Sequence, residues 1–145
     1  MLRERLQVEM EANDFEVVLG EDDGLENVRL TLSNGYAHIN ELAFIKNECA
    51  AIVLVADSVG SFCELGLFAH EQGLSSAGNR DFVLFVDQRY EHERSYFSEG
   101  PARAIQDFGM VRYVDFATAE IETIIQRLQR RRAMYFFDGR GRRAV

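Results

Sequence analysis

Ala51-Ile52-Val53-Leu54-Val55-Ala56 runs without a break into Asp57-Ser58-Val59-Gly60-Ser61-Phe62-Cys63-Glu64-Leu65-Gly66, and this junction decides the fold. A continuous apolar run suits a strand covered on both faces, so residues 51 to 56 are expected to form a central strand of a parallel sheet. Ser61 to Glu71 then carries helical spacing through Leu65, Phe68 and Ala69. Downstream, a polar loop from Ser75 to Arg80 leads to a second apolar run, Phe82 to Asp87. Gly100-Pro101 opens a helix to Phe108, because proline is favoured in a first helical turn. Val111 to Val114 reads as a short strand, and Ala119 to Arg132 as a terminal helix with Ile121, Ile124, Ile125 and Leu128 inward. Upstream, Leu2, Leu6 and Met10 share a helical face, and Phe15 to Leu19 reads as a strand. After an acidic turn from Glu21 to Gly24, Ser33-Asn34-Gly35 supplies cap residues for a helix from Tyr36 to Glu48, with His38, Leu42, Ile45 and Cys49 on its buried face. Strands and helices alternate throughout, which predicts an α/β three-layer sandwich with a mostly parallel central sheet.

The chain of 145 residues is one domain's worth, and 47% hydrophobic residues suffice for a core. With a single proline and no Gly/Ser-rich run, no linker is expected. No apolar stretch approaches the ~20 residues of a membrane span and the N-terminus lacks a secretory pattern, so the expected compartment is the cytoplasm. Cys49 and Cys63 show no CxxC or Cys/His ligand spacing, so no metal is expected. Charge is unevenly placed: residues 1 to 126 hold 9 basic against 23 acidic residues, and residues 127 to 145 hold 7 against 1. Any nucleic-acid contact is therefore expected at the Arg-rich end, around Arg130, Arg131 and Arg132. Lys46 is the only lysine, which leaves no evident P-loop or Schiff-base lysine.

Ligands of open parallel sheets bind at the carboxyl ends of strands, beside helix N-termini. The Asp57 to Gly66 segment begins at such an end and brings together the carboxylates of Asp57 and Glu64, the hydroxyls of Ser58 and Ser61, and Gly60. Glu64, placed in the first turn of its helix, would be held ionised and could attack a sugar carbon or stabilise a cationic one. Asp57 would hold ribose hydroxyls or protonate a departing base. Gly66 costs about 1 kcal/mol against alanine within a helix, which suggests a close approach there. The same residues have a structural reading: Ser61-x-x-Glu64 is also a capping box, favoured on spacing alone, and Asp57 an ordinary turn former. His38 is expected in the core, His70 and His92 on the surface, and Cys63, Tyr36 and Tyr96 in packing roles. Arg103 reads as a phosphate contact at a helix N-terminus or as a solvated arginine.

The run IVLVADSVGSFCELGLFA resembles the core motif of nucleoside 2-deoxyribosyltransferase-like effectors found beside retron reverse transcriptases, in which a strand leads into S-x-G-S-x-x-E-L-G. A second block, Arg94-Ser95-Tyr96-Phe97 to Gly100-Pro101-Ala102-Arg103, resembles the stretch after the next strand in those proteins. The resemblance implies a nucleoside deoxyribosyltransferase-like, flavodoxin-like sandwich over residues 1–132, followed by an Arg-rich tail over 133–145. It implies Glu64 as the catalytic glutamate, assisted by Asp57, with Ser58, Gly60, Ser61, Gly66 and Arg103 binding substrate. The implied reaction is cleavage or transfer at the N-glycosidic bond of a nucleoside, nucleotide or NAD, without a cofactor or metal, by a toxic effector of an antiphage system. Implied partners are a reverse transcriptase and its RNA–DNA product, with no membrane; a homo-oligomer is left open. The relatives open with a strand and a glycine-bearing loop, whereas this chain opens in helix at Leu2. The alternative expectation is a module that senses a nucleotide or binds a nucleic-acid complex without turnover.

Overall fold

The computed structural model describes residues 1–19, 36–74 and 80–137. The acidic turn at 21–24, the cap residues 33–35, the loop at 75–79 and residues 138–145 of the Arg-rich end lie outside them. The described elements are α1 (Leu2–Ala12), α2 (Ala37–Glu48), β1 (Ala51–Ala56), α3 (Val59–Leu74), β2 (Asp81–Asp87), α4 (Tyr96–Glu99), α5 (Pro101–Phe108), β3 (Met110–Val114) and α6 (Glu122–Phe137). The three strands pair in the order β1-β2-β3, all parallel, with Val53 opposite Val83 and Val83 opposite Met110.

Side-chain alternation along the strands builds two cores. Phe82, Leu84 and Val86 of β2, with Leu54 and Ala56 of β1, face Leu65, Phe68 and Ala69 of α3 and Ala102 and Ile105 of α5. Val83 and Phe85, with Val55, face Leu2 and Leu6 of α1 and Ile124 and Leu128 of α6. The molecule is thus an α/β sandwich of helices, parallel sheet and helices. Gly109 joins α5 to β3 where an added Cβ would collide with the Phe82 carbonyl, so no side chain fits at that crossing. Among the described residues no helix is long and apolar enough to cross a membrane.

Several expectations need correction. Ala51–Ala56 is flanked by β2 as expected, but among the described strands β2, not β1, is the central one. Helices on both faces make an edge strand as uniformly apolar as a central one, so composition does not distinguish them. Phe15 to Leu19 belongs to no strand. It leaves α1 through Asp14, whose φ of 67° lies in the left-handed region, and the Phe15 N–H donates to the Met10 carbonyl. Phe15 then packs under the Arg132 guanidinium, 4.1 Å from the ring centre. His38 is exposed rather than buried, because the first turn of α2 is open to solvent and its packing begins at Leu42 and Ile45. Tyr36 and Tyr96 are also exposed, so neither serves the core. α6 starts at Glu122 rather than Ala119, since the Glu120 carboxylate accepts from the Thr123 N–H and hydroxyl and caps it there. It continues past Arg132 to Phe137.

Of the four described arginines of the basic end, three have inward partners. Asp81, fully buried at the start of β2, accepts two hydrogen bonds of 2.9 Å from Arg127. Arg131 stands 3.9 Å from the same carboxylate, and Arg132 donates to the carbonyls of Asn13 and Asp14. Arg130 is exposed.

Candidate active site

A cleft of about 750 Å³ runs beside β1, and its carboxyl end is lined by Asp57, Ser58, Gly60, Ser61, Glu64 and Glu41. The local fold there follows from two serines. Ser61 Oγ accepts from the Asp57 and Ser58 N–H groups at 2.9 and 2.8 Å, while the Ser61 N–H donates to Ser58 Oγ at 3.2 Å. The Phe62 N–H bonds the Ser58 carbonyl at 3.0 Å. This is a reciprocal capping box with Ser58 as the N-cap, so the expected box between Ser61 and Glu64 does not form. Because α3 starts at Val59, Glu64 falls in its second turn, beyond the reach of the helix end's positive field. The expectation that this field ionises Glu64 is therefore corrected.

Glu64 meets another carboxyl group instead. Glu41, from the second turn of α2, is hydrogen-bonded to it. Burial first, and then the negative charge and hydrogen bond of Glu64, push the Glu41 carboxyl up to about 7. The raised value keeps the Glu41 carboxyl able to carry a proton near neutral pH. A half-buried pair of this kind offers an acid and an anion side by side, at the strand end where open parallel sheets bind ligands.

The other expected residues divide. Asp57 is exposed at the cleft mouth. The Ser58 and Ser61 hydroxyls line the cleft but are occupied by the cap. Gly60 lines it too, and a Cβ there would make only ordinary contact with Ser58 Oγ. Gly66 lies outside the lining, and a Cβ added there would meet no described group beyond its own helix within 4 Å, so none of these groups requires a glycine. Arg103 is exposed, 3.6 Å from the Glu99 carboxylate, and the cleft does not include it. Cys63 points to solvent. Phe62, Tyr90 and Phe97 form an edge-to-face triangle, with Phe62 and Phe97 rings 5.4 Å apart, that packs the start of α3 onto the segment after β2. The sequence reading missed Glu41. Its signal was a carboxylate one turn before Ile45, on the inward side of an otherwise apolar stripe.

The family model described as "STM3845 retron effector protein" matches residues 1–136. No curated protein and no solved structure matches the chain.

Proposed function

The chain belongs to the STM3845 retron effector protein family, which gives it a role in an antiphage retron system, and we propose that within this role its cleft cleaves or transfers at an N-glycosidic bond. The observation that carries the reading is the Glu41–Glu64 pair on the cleft wall at the carboxyl end of β1. Ionised Glu64 attacks the anomeric carbon of a nucleoside, nucleotide or NAD, or stabilises its oxocarbenium-like transition state. Protonated Glu41 gives its proton to the departing base and recovers one from the water or acceptor hydroxyl that completes the reaction. Asp57, at the mouth, holds ribose hydroxyls. As a retron effector the chain is further proposed to be held by the system's reverse transcriptase and RNA–DNA product.

The test is Glu64→Gln. The cap on α3 is made by Ser58 and Ser61, so this substitution should leave the melting temperature nearly unchanged. It should lower release of free base from nucleosides, nucleotides or NAD, followed by chromatography, by about 10²-fold or more. Undiminished release by a folded Glu64→Gln variant would remove Glu64 from the chemistry. Saturable nucleotide binding with the base retained would assign the cleft to sensing instead.

A further inference from the structure

Tyr96 holds its ring out in solvent, 91% exposed, on a turn that is fixed at both ends. Ser95 and Ser98 cap α4 reciprocally: the Ser95 N–H donates to Ser98 Oγ at 2.8 Å, and the Ser98 N–H to Ser95 Oγ at 3.4 Å. The Gly100 N–H closes the turn on the Tyr96 carbonyl at 2.9 Å, and a Cβ on Gly100 would stand 2.9 Å from that same oxygen, so the closure is made tight by glycine. Phe97 anchors the turn by packing edge-on against Phe62 and Tyr90. Folding has already ordered the backbone that displays the ring, so a ligand that covers it meets little further entropy cost.

Two arginines stand beside this ring. The Arg94 and Arg103 side chains are 92% and 71% exposed and lie 3.9 and 3.6 Å from the Glu99 carboxylate, too far for a hydrogen bond. Glu99 follows Tyr96 by three residues, on the same side of this one-turn helix. Neither guanidinium donates a hydrogen bond among the described residues, so both planar forks remain available to an outside acceptor such as phosphate. Arg127, Arg131 and Arg132 of the basic end, by contrast, have inward partners. No residue of 88–103 lines the cleft. Within that stretch Glu91, Glu93 and Glu99 offset Arg89, Arg94 and Arg103, and the chain as a whole is acidic, so no long-range field draws a polyanion to the turn. What it offers is short-range: one flat ring and two forks. That set suits a base with its adjoining phosphates, and only an unpaired base has a face free to lie on the ring.

We propose that the α4 turn binds single-stranded nucleic acid, with an unpaired base stacked on Tyr96 and the adjoining phosphates on Arg94 and Arg103. The proposal deepens the reading that the chain is held by an RNA–DNA product, with the contact at this turn rather than at the Arg-rich end, and it uses neither Glu41 nor Glu64.

The probe is a short fluorescent single-stranded DNA of mixed sequence, titrated into the full chain by anisotropy at several salt concentrations. Saturable binding is expected, and log K should fall against log salt with a slope of about −1.4, from about −0.7 for each of two phosphates. Tyr96→Ala should weaken binding about tenfold while Tyr96→Phe retains it, because stacking needs the ring and not the hydroxyl. Both variants should melt with the parent, since the ring is exposed. Arg94→Ala and Arg103→Ala should each flatten the slope by about 0.7. Absence of saturable binding overturns the proposal, as does a Tyr96→Ala chain that binds as tightly as the parent, or a blunt duplex of the same sequence that binds as tightly as the single strand. A parent that binds the oligonucleotide through Tyr96 but not the retron's RNA–DNA product would uphold the turn and overturn the hold. Equal binding of that product by the parent and Tyr96→Ala would keep the hold and overturn the turn as its contact. Loss of reverse-transcriptase binding by Tyr96→Ala, with the oligonucleotide bound undiminished, would assign the turn to a protein partner and overturn the proposal.

Discussion

Glu41 is held above the ordinary carboxyl range mainly by burial, with Glu64 adding its charge and hydrogen bond. Its native value of about 7 exceeds the ordinary 4.5, so between these values the native protein keeps a proton that the unfolded chain releases. The stabilisation is complete below the lower value and is lost as pH rises through the upper one. Glu41→Gln keeps the shape and removes the ionisation. The variant should melt above the parent at about pH 8 and together with it at about pH 4.5, which thermal denaturation across that range measures. Base release that uses Glu41 as the acid should fall as pH rises through about 7; a flat profile there would exclude Glu41 as proton donor. Asp57 and Glu64 were legible in the sequence because the strand-end rule needs only a strand followed by a helix. Glu41 was not, because its chemistry comes from a contact between two helices that no local spacing records.

At the scale of elements, the start of α3 depends on which hydroxyl caps it. Ser58-x-x-Ser61 and Ser61-x-x-Glu64 carry the same pattern one turn apart, and the helix takes the earlier one, where Ser61 Oγ also receives the Asp57 N–H. Ser58→Ala should therefore cost about 1 kcal/mol in denaturant unfolding. A loss too small to measure would mean that the backbone alone positions this turn. The strands themselves were readable as apolar runs, but their neighbours were not. β1 and the inner five residues of β2 are both continuous apolar runs, and the order β1-β2-β3 is set by crossovers that position α3 and α5 on one face. Phe15 to Leu19 shows the converse: a β-prone run that lines the cleft beside β1 lies outside the described ladder, since strand formation depends on neighbours as well as propensity.

At the scale of the molecule, the charge asymmetry that marked the last nineteen residues as a separate basic end is partly an internal tie. Arg127 reaches from α6 to Asp81 at the head of the central strand, and Arg132 reaches the turn after α1, so α6 fastens the sheet to α1. Charge counted along the chain could not reveal this, because the partners lie at the other end of the sequence. Of Arg127, Arg130, Arg131 and Arg132, Arg130 alone is exposed. Asp81→Asn removes the carboxylate and leaves the Arg127 guanidinium, 21% exposed, without its counter-charge. Removing one partner of a buried pair costs more than the pair contributes, so the loss should be about 3 kcal/mol. Arg130→Ala, on the open face of the same helix, should change stability by less than about 0.5 kcal/mol. Denaturant unfolding of both variants separates a structural tie from a surface charge. Equal, small losses would show that α6 is held by Ile124 and Leu128 in the core alone; a large loss confined to Asp81→Asn would show that Arg127 and Arg131 are spent on the fold.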